Sequence, residues 1–267
     1  MKNPNLPLLT STLLLALSLG CVMVSSSSYT RRPKPETAPE PPQLPTVHSP
    51  SPYLESIRKT PVGSWAEWET RVDNQISRRY MALTEGDESS VQLEVSEGPW
   101  IVSTRIRLED GKIMEAFASR PGHPAQKLSI QPVSPPTPSS PPFPKEVISV
   151  PAGTFTCSKI SYSDGRTTWV TQQGQSHPIV KEISRDRPDS PTRTLTQLDT
   201  VRISVPGGTF DCLYTQHRTS REDDSRIIES WWSPEVPFSG LVKRTLDKGP
   251  EVLVGSGREA RPRLQHP

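Results

Sequence analysis

A mainly β protein is predicted by three observations. Apolar and polar residues alternate through Trp100, Val102, Thr104, Ile106 and Leu108 against Ile101, Ser103, Arg105 and Arg107, the pattern of a strand with one buried face. Asp110-Gly111 and Asp164-Gly165 stand between such runs, and these pairs favour tight hairpins because both turn positions need positive φ. The third observation is a motif written twice. E-V-I-S-V-P-A-G-T-F-T-C ends at Cys157, and V-R-I-S-V-P-G-G-T-F-D-C ends at Cys212. Lys181 follows Trp169 by twelve residues, and Lys243 follows Trp231 by the same twelve. The expected architecture is an antiparallel sheet, open barrel or sandwich, built partly from two repeated hairpin units.

Residues 1–21 read as an export signal. Lys2 precedes an uncharged, leucine-rich run from Leu6 to Leu19, which ends in Ser18-Leu19-Gly20-Cys21. The Gly20-Cys21 junction resembles the lipobox of bacterial lipoproteins, with Ser18 where that family prefers Leu. The resemblance implies a lipidated Cys21, palmitate-bearing, as the first mature residue. Two or more acyl chains hold a protein stably at a membrane where one holds it only marginally. The other readings of the same residues are simple secretion and an uncleaved anchor from Leu6 to Val24, just long enough to span a bilayer. All three place the rest of the chain outside the cytoplasm. By the same resemblance Val22 points to the outer membrane, with the protein facing the periplasm or the exterior.

Residues 22–52 form a Ser- and Pro-rich linker, with too little apolar surface to offset its conformational entropy, so disorder is expected. Extended polyproline II geometry gives it a reach of about 90 Å. The β-rich domain is placed at 53–257. It opens with a short helix after Ser51, Pro52 in its first turn and Tyr53, Leu54 and Ile57 on one face. The first strand block covers 61–130, where Val91, Leu93 and Val95 alternate with Gln92 and Glu94. A Pro-rich stretch at 131–144 is either a domain break or a surface loop. The two motif copies fill 145–257, and 258–267 is expected to be a disordered tail. Within each copy, Pro-Ala-Gly (151–153) or Pro-Gly-Gly (206–208) removes a ladder donor and frees the backbone to turn.

The pairing of V-P-G-G-T-F-D-C with E-S-W-W-S-P-E-V-P-F-S-G-L-V-K (229–243) resembles a motif pair in exported bacterial lipoproteins and domains without an agreed activity. Pro61 to Trp65 and Trp68 resemble the opening strand of those sequences. In the first copy, Gln172–Ser176 lacks the Pro-bracketed turn and Ile179 replaces the leucine. More remotely, the pattern is similar to LolA/LolB-like open barrels, and that resemblance implies a cavity for a lipid or another hydrophobic ligand.

Candidate chemistry is sparse. With Cys21 acylated, Cys157 and Cys212 remain at equivalent places in the two copies. In an oxidising compartment they read either as a disulfide or as buried thiols filling equivalent core sites. The five histidines are scattered without metal-ligand spacing, so neither a metal nor a cofactor is expected. Glu222, Asp223 and Asp224 form an acidic hairpin tip that lacks the spaced oxygen ligands of a calcium loop. Alternation sends one of Trp231 and Trp232 inward and the other outward. These five residues are the candidate binding surface. A net charge of +2, with arginines interspersed among acids, disfavours nucleic acid. The expected function is a non-enzymatic cell-envelope lipoprotein with a structural or interaction domain, bound to the membrane by its lipid and to an envelope protein or a hydrophobic ligand. The alternative is a LolA/LolB-like carrier.

Overall fold

The computed structural model describes residues 54–73, 75–130, 142–172, 178–184, 191–221, 224–246 and 249–264. The leader with Cys21, the linker, Pro52 and Tyr53, residues 131–141, and Glu222 and Asp223 lie outside the described residues. The first elements are a helix, α1 (Leu54–Lys59), and six strands: β1 (Trp65–Val72), β2 (Gln75–Gly86), β3 (Ser90–Glu97), β4 (Trp100–Arg107), β5 (Ile113–Ser119) and β6 (Gln126–Lys127). After the Pro-rich stretch come β7 (Lys145–Val150), β8 (Gly153–Ser161), β9 (Thr167–Val170), β10 (Ile179–Ile183), β11 (Thr192–Val205) and β12 (Gly208–Arg221). The last strands are β13 (Asp224–Trp232), β14 (Leu241–Arg244) and β15 (Glu251–Gly257).

Among the described residues, fifteen strands form one antiparallel sheet, ordered β6-β5-β4-β3-β2-β1-β15-β14-β13-β12-β11-β10-β9-β8-β7. Sheet neighbours are chain neighbours except at one place, where β1 pairs with β15 from Trp65↔Gly257 to Thr70↔Glu251. Two meanders are therefore welded through the first strand of one and the last strand of the other. The free edges are β6 and β7, which do not pair with each other, so the sheet is not closed into a barrel.

The hairpins follow from their turn residues. Only the glycine of each pair has positive φ, Gly111 at 73° and Gly165 at 84°, a region open to glycine without steric cost. The expected turn with both positions at positive φ is therefore corrected to a longer loop, between Arg107 and Ile113 and between Ser161 and Thr167. The preceding aspartates accept from the backbone two residues on, Asp110 from Lys112 at 3.0 Å and Asp164 from Arg166 at 3.0 Å.

The two motif copies build hairpins of matching register. Ile148 faces Phe155 as Ile203 faces Phe210, and Val150 faces Gly153 as Val205 faces Gly208. The hydroxyls of Ser149 and Thr154 lie 3.0 Å apart, those of Ser204 and Thr209 2.9 Å. Trp169 faces Lys181 as Trp231 faces Lys243, each next to a register shift. Each tip packs back over the strands that follow it. In the first copy Ile148, Val150 and Ala152 join a core of Cys157, Trp169, Val180 and Leu195. In the second, the Gly207 N–H donates to Leu253 O at 3.1 Å, and a Cβ at Gly207 would meet Leu253 and Gly255 at 3.1–3.2 Å.

The main core joins both meanders: Trp68, Leu83, Leu93 and Ile106 pack with Phe210, Cys212, Leu241 and Leu253, and α1 adds Ile57. α1 carries Glu55 in its first turn and Arg58 and Lys59 in its last, the polarity its dipole favours. The Ser56 hydroxyl donates to Phe238 O, and Phe238 N–H donates to Thr60 Oγ1 at 3.3 Å.

Two further expectations are corrected. The alternation in β3 implied a wet face, yet Gln92 and Glu94 are buried with the valines and Leu93. Gln92 donates to Ser103 Oγ on β4 at 2.5 Å, and Glu94 lies under the tail, which does not fray at Arg258. It crosses β1–β3 with Ala260 N–H donating to Gly63 O at 2.7 Å, and it buries Leu264.

Phe155 and Phe210 stand at matching places but are not equally enclosed: Phe210 is 8 % exposed and Phe155 only partly buried. Phe210→Ala should cost about 3–5 kcal/mol, as large-to-small changes in cores do, and Phe155→Ala clearly less. Urea unfolding of the two variants checks this. Equal losses would mean that the two copies share the load evenly.

Candidate functional site: the Trp231 crevice and a buried charged row

The sequence-predicted surface splits when built. Asp224 pairs with Arg221 at the end of the β12–β13 ladder. Trp231 and Trp232 are both half-buried, so the expectation of one indole fully outward is not met. Both pack against the main core. Trp231 lies between Tyr214, with ring centroids 5.0 Å apart, and the Lys243 ammonium, 4.8 Å from its ring. In the first copy Lys159 and Lys181 hold the same positions over Trp169, each at 5.5 Å. The Trp169 indole N–H donates to Glu146 at 2.7 Å, and Val201 takes the equivalent place in the second copy. Trp232 donates to Thr215 Oγ1 at 3.3 Å. A crevice of about 220 Å³ opens where the second hairpin tip folds down, between Ile203, Val205 and Pro206 above and Trp231, Lys243 and Val252 below. That is smaller than the roughly 300–1,000 Å³ of pockets that enclose a drug-sized ligand.

Cys157 and Cys212 are free thiols, so the disulfide reading is corrected. They lie on β8 and β12, with β9, β10 and β11 between them. A bridge needs Cα atoms within about 7 Å, whereas strands repeat every 4.8 Å or so. Each Sγ instead contacts the carbonyl two residues back, Phe155 O or Phe210 O, at 3.7 Å. Burial raises both thiols, Cys212 to about 11, which suppresses the reactive thiolate.

Sequence reasoning missed the most unusual feature, a row of buried and half-buried polar side chains across the strands. From β9 to β12, cross-strand neighbours run Thr168, Glu182, Arg193, Thr219. From β13 to β1 they run Ser230, Arg244, Glu251, Thr70. Aligning Trp169 with Trp231 makes these equivalent quartets, and the acid and the base have exchanged strands. Arg244 binds Glu251 at 2.8 Å, and Glu251 also accepts from Arg79 at 2.6 Å, whose guanidinium lies 4.5 Å from the Trp68 ring. Trp68 itself donates to Leu241 O at 2.8 Å.

In the first quartet Arg193 is 9 % exposed, and its Nη2 donates to His217 Nδ1 at 3.2 Å. His217 Nε2 lies 2.8 Å from Ile179 O. A carbonyl only accepts, so the proton sits on Nε2 and the ring is neutral. Burial first, and the Arg193 charge second, lower the His217 pKa to about 3. Burial also raises the Glu182 carboxyl, opposed by Arg193 and Arg166. Both nitrogens of the imidazole are engaged, so the arrangement fixes strand register and holds no free base. Among the described residues, no group of three or more His, Cys, Asp or Glu converges as a metal site would require. None of the described helices is long and apolar enough to cross a membrane.

No family model matches the chain, and no curated protein matches it. Among solved structures it is similar to the crystal structure of a "putative lipoprotein" from Parabacteroides distasonis ATCC 8503. The identity is 10 % over 74 % of this chain and 96 % of that chain, with a TM-score of 0.30. A likeness at that score carries no argument about this protein.

Two predictions follow from the buried groups. Because the folded pKa of His217 lies below its usual 6.5, the unfolded chain binds the extra proton first. Its stabilising contribution is complete above pH 6.5 and is lost as pH falls towards 3, with a slope approaching about 1.4 kcal/mol per pH unit. Urea titrations between pH 7 and 5 should show this fall, and His217→Gln should flatten it. An unchanged slope in the variant would remove His217 as the cause. Alkylation followed by mass spectrometry should leave Cys157 and Cys212 unmodified in the native protein and modify both after unfolding. Labelling of either under native conditions would contradict their burial.

Proposed function

We propose that this protein is a lipid-anchored component of the bacterial cell envelope whose β-rich domain works by contact and not by catalysis. The leucine-rich leader ending in Gly20-Cys21 and the Pro-rich linker support the anchor. Cys21 is the acylated residue in this reading. The domain stands off the membrane, most simply the outer one, in the periplasm or facing the exterior.

The observation that carries the contact reading is the state of the buried ionisable groups. The thiols of Cys157 and Cys212 are raised, and the imidazole of His217 is neutral and engaged at both nitrogens. A nucleophilic thiol or a general-base imidazole working near neutral pH needs the opposite tuning. The carrier alternative draws on the apolar crevice over Trp231. That space is smaller than the roughly 300–1,000 Å³ of pockets that enclose a drug-sized ligand, and the neighbouring row is charged.

Cys21→Ser should move the protein from the membrane fraction to the soluble fraction, and metabolic labelling with a palmitate analogue should be lost with it. A variant that still sediments with membranes and keeps its leader would favour the uncleaved anchor and defeat the lipid reading.

A further inference from the structure

β15 stops pairing at Gly257, opposite Trp65, and the chain then lies across one face of β1–β3 without joining the ladder. Tyr80 and Glu94 share that face, because Ala82, two residues from Tyr80, is the register partner of Glu94. The Glu94 carboxylate receives two successive backbone amides, Arg263 N–H at 2.8 Å on Oε2 and Leu264 N–H at 3.3 Å on Oε1. The Arg263 guanidinium sits 3.5 Å from the centre of the Tyr80 ring. Leu264 is 2 % exposed. A carboxylate that captures consecutive amides, a ring beneath a guanidinium and an enclosed leucine are devices of peptide recognition.

We infer that this face is a binding surface for an extended, basic, leucine-bearing segment of a partner protein, occupied in this structure by the chain's own residues 258–264. The occupant defines the specificity. Glu94 reads backbone and so tolerates sequence, Tyr80 selects a guanidinium, and the Leu264 position selects an aliphatic side chain. Charge agrees: the segment carries Arg258, Arg261 and Arg263 against one acid, Glu259, and the face carries Glu94 and, opposite Tyr80 in the ladder, Glu67. The segment lies outside the strand ladder, so it opens without breaking a β-bridge. Tethering gives it a high effective concentration, which keeps the surface closed until a competing segment of the same kind arrives. The inference deepens the contact reading and rests on it.

The test uses the chain ended after Ala260, which keeps the Gly63–Ala260 bond, and a fluorescein-labelled peptide of residues 261–267. Fluorescence anisotropy should show saturable binding to the shortened chain and at least tenfold weaker binding to the full chain. Glu94→Gln in the shortened chain, and a peptide carrying Leu264→Asp, should each weaken binding about tenfold. A shortened chain that keeps its β circular dichroism and melting temperature but does not bind the peptide overturns the inference. So does binding that is indifferent to Glu94 and Leu264, or a shortened chain that no longer folds, since the segment would then be core. Light scattering adds a further arm: a stable dimer of the full chain with exchanged segments would assign the surface to a second copy and overturn the foreign partner. Membrane fractionation of Cys21→Ser is independent of every arm, so failure here leaves the anchoring reading standing.

Discussion

The ladder between β1 and β15 is the constraint on which the rest depends. Every other strand pair joins chain neighbours, and such hairpins form locally. This one joins residues nearly two hundred positions apart, so its loop-closure entropy is met only late and only by strong local contacts. The contacts are there. Glu251 on β15 holds Arg244 on β14 and Arg79 on β2, so a single carboxylate ties the two meanders together. Trp68 lies against Arg79 and donates across the joint to Leu241 O. Removing one member of a buried charged group leaves the others uncompensated, at a typical cost of about 3–5 kcal/mol. The joint is therefore both the least local part of the fold and the part with the most to lose.

The folded-back hairpins depend on the same joint. The tip of the second motif needs β15 in place, because Gly207 docks on Leu253 and its neighbour Gly255. Pro206 ends the strand, and Gly208, at φ 138°, turns the chain where a Cβ would strike the Phe210 ring. Sequence, turn and long-range packing thus meet within three residues. In the first copy Ala152 stands where Gly207 does, and its tip packs against Trp169 and Leu195. The repeated residues are those that let a hairpin lie down on its own sheet.

Strand content and the hairpins at Asp110-Gly111 and Asp164-Gly165 were legible because their causes are local: period-two alternation and positive-φ turns. The short helix was legible from Leu54 and Ile57 for the same reason. What escaped was whatever depended on partners far along the chain. Glu94 looked solvated because nothing in β3 announces that residues 258–264 will cover it. Glu182, Arg193, Arg244 and Glu251 looked like ordinary surface charge, and only the register of β10, β11, β14 and β15 places them inside. Cys157 and Cys212 looked like a possible pair because sequence shows their equivalence and hides the three strands between them. Alternation alone would turn one of Trp231 and Trp232 outward, yet the curled tip lies over Trp231 and both indoles end half-buried.

The exchange of acid and base between the two quartets bears on how a chain with near-duplicate parts avoids confusing them. Homologous strands are natural rivals: β10 could seek β15, and β14 could seek β11, with the hydrophobic pattern satisfied either way. In the same register, the first error sets Glu182 opposite Glu251, and the second sets Arg244 opposite Arg193. Directly opposed like charges destabilise a strand pair, and more so when buried. The polarity reversal therefore acts as a key that fits each copy only to its own neighbour, during folding and between crowded molecules alike.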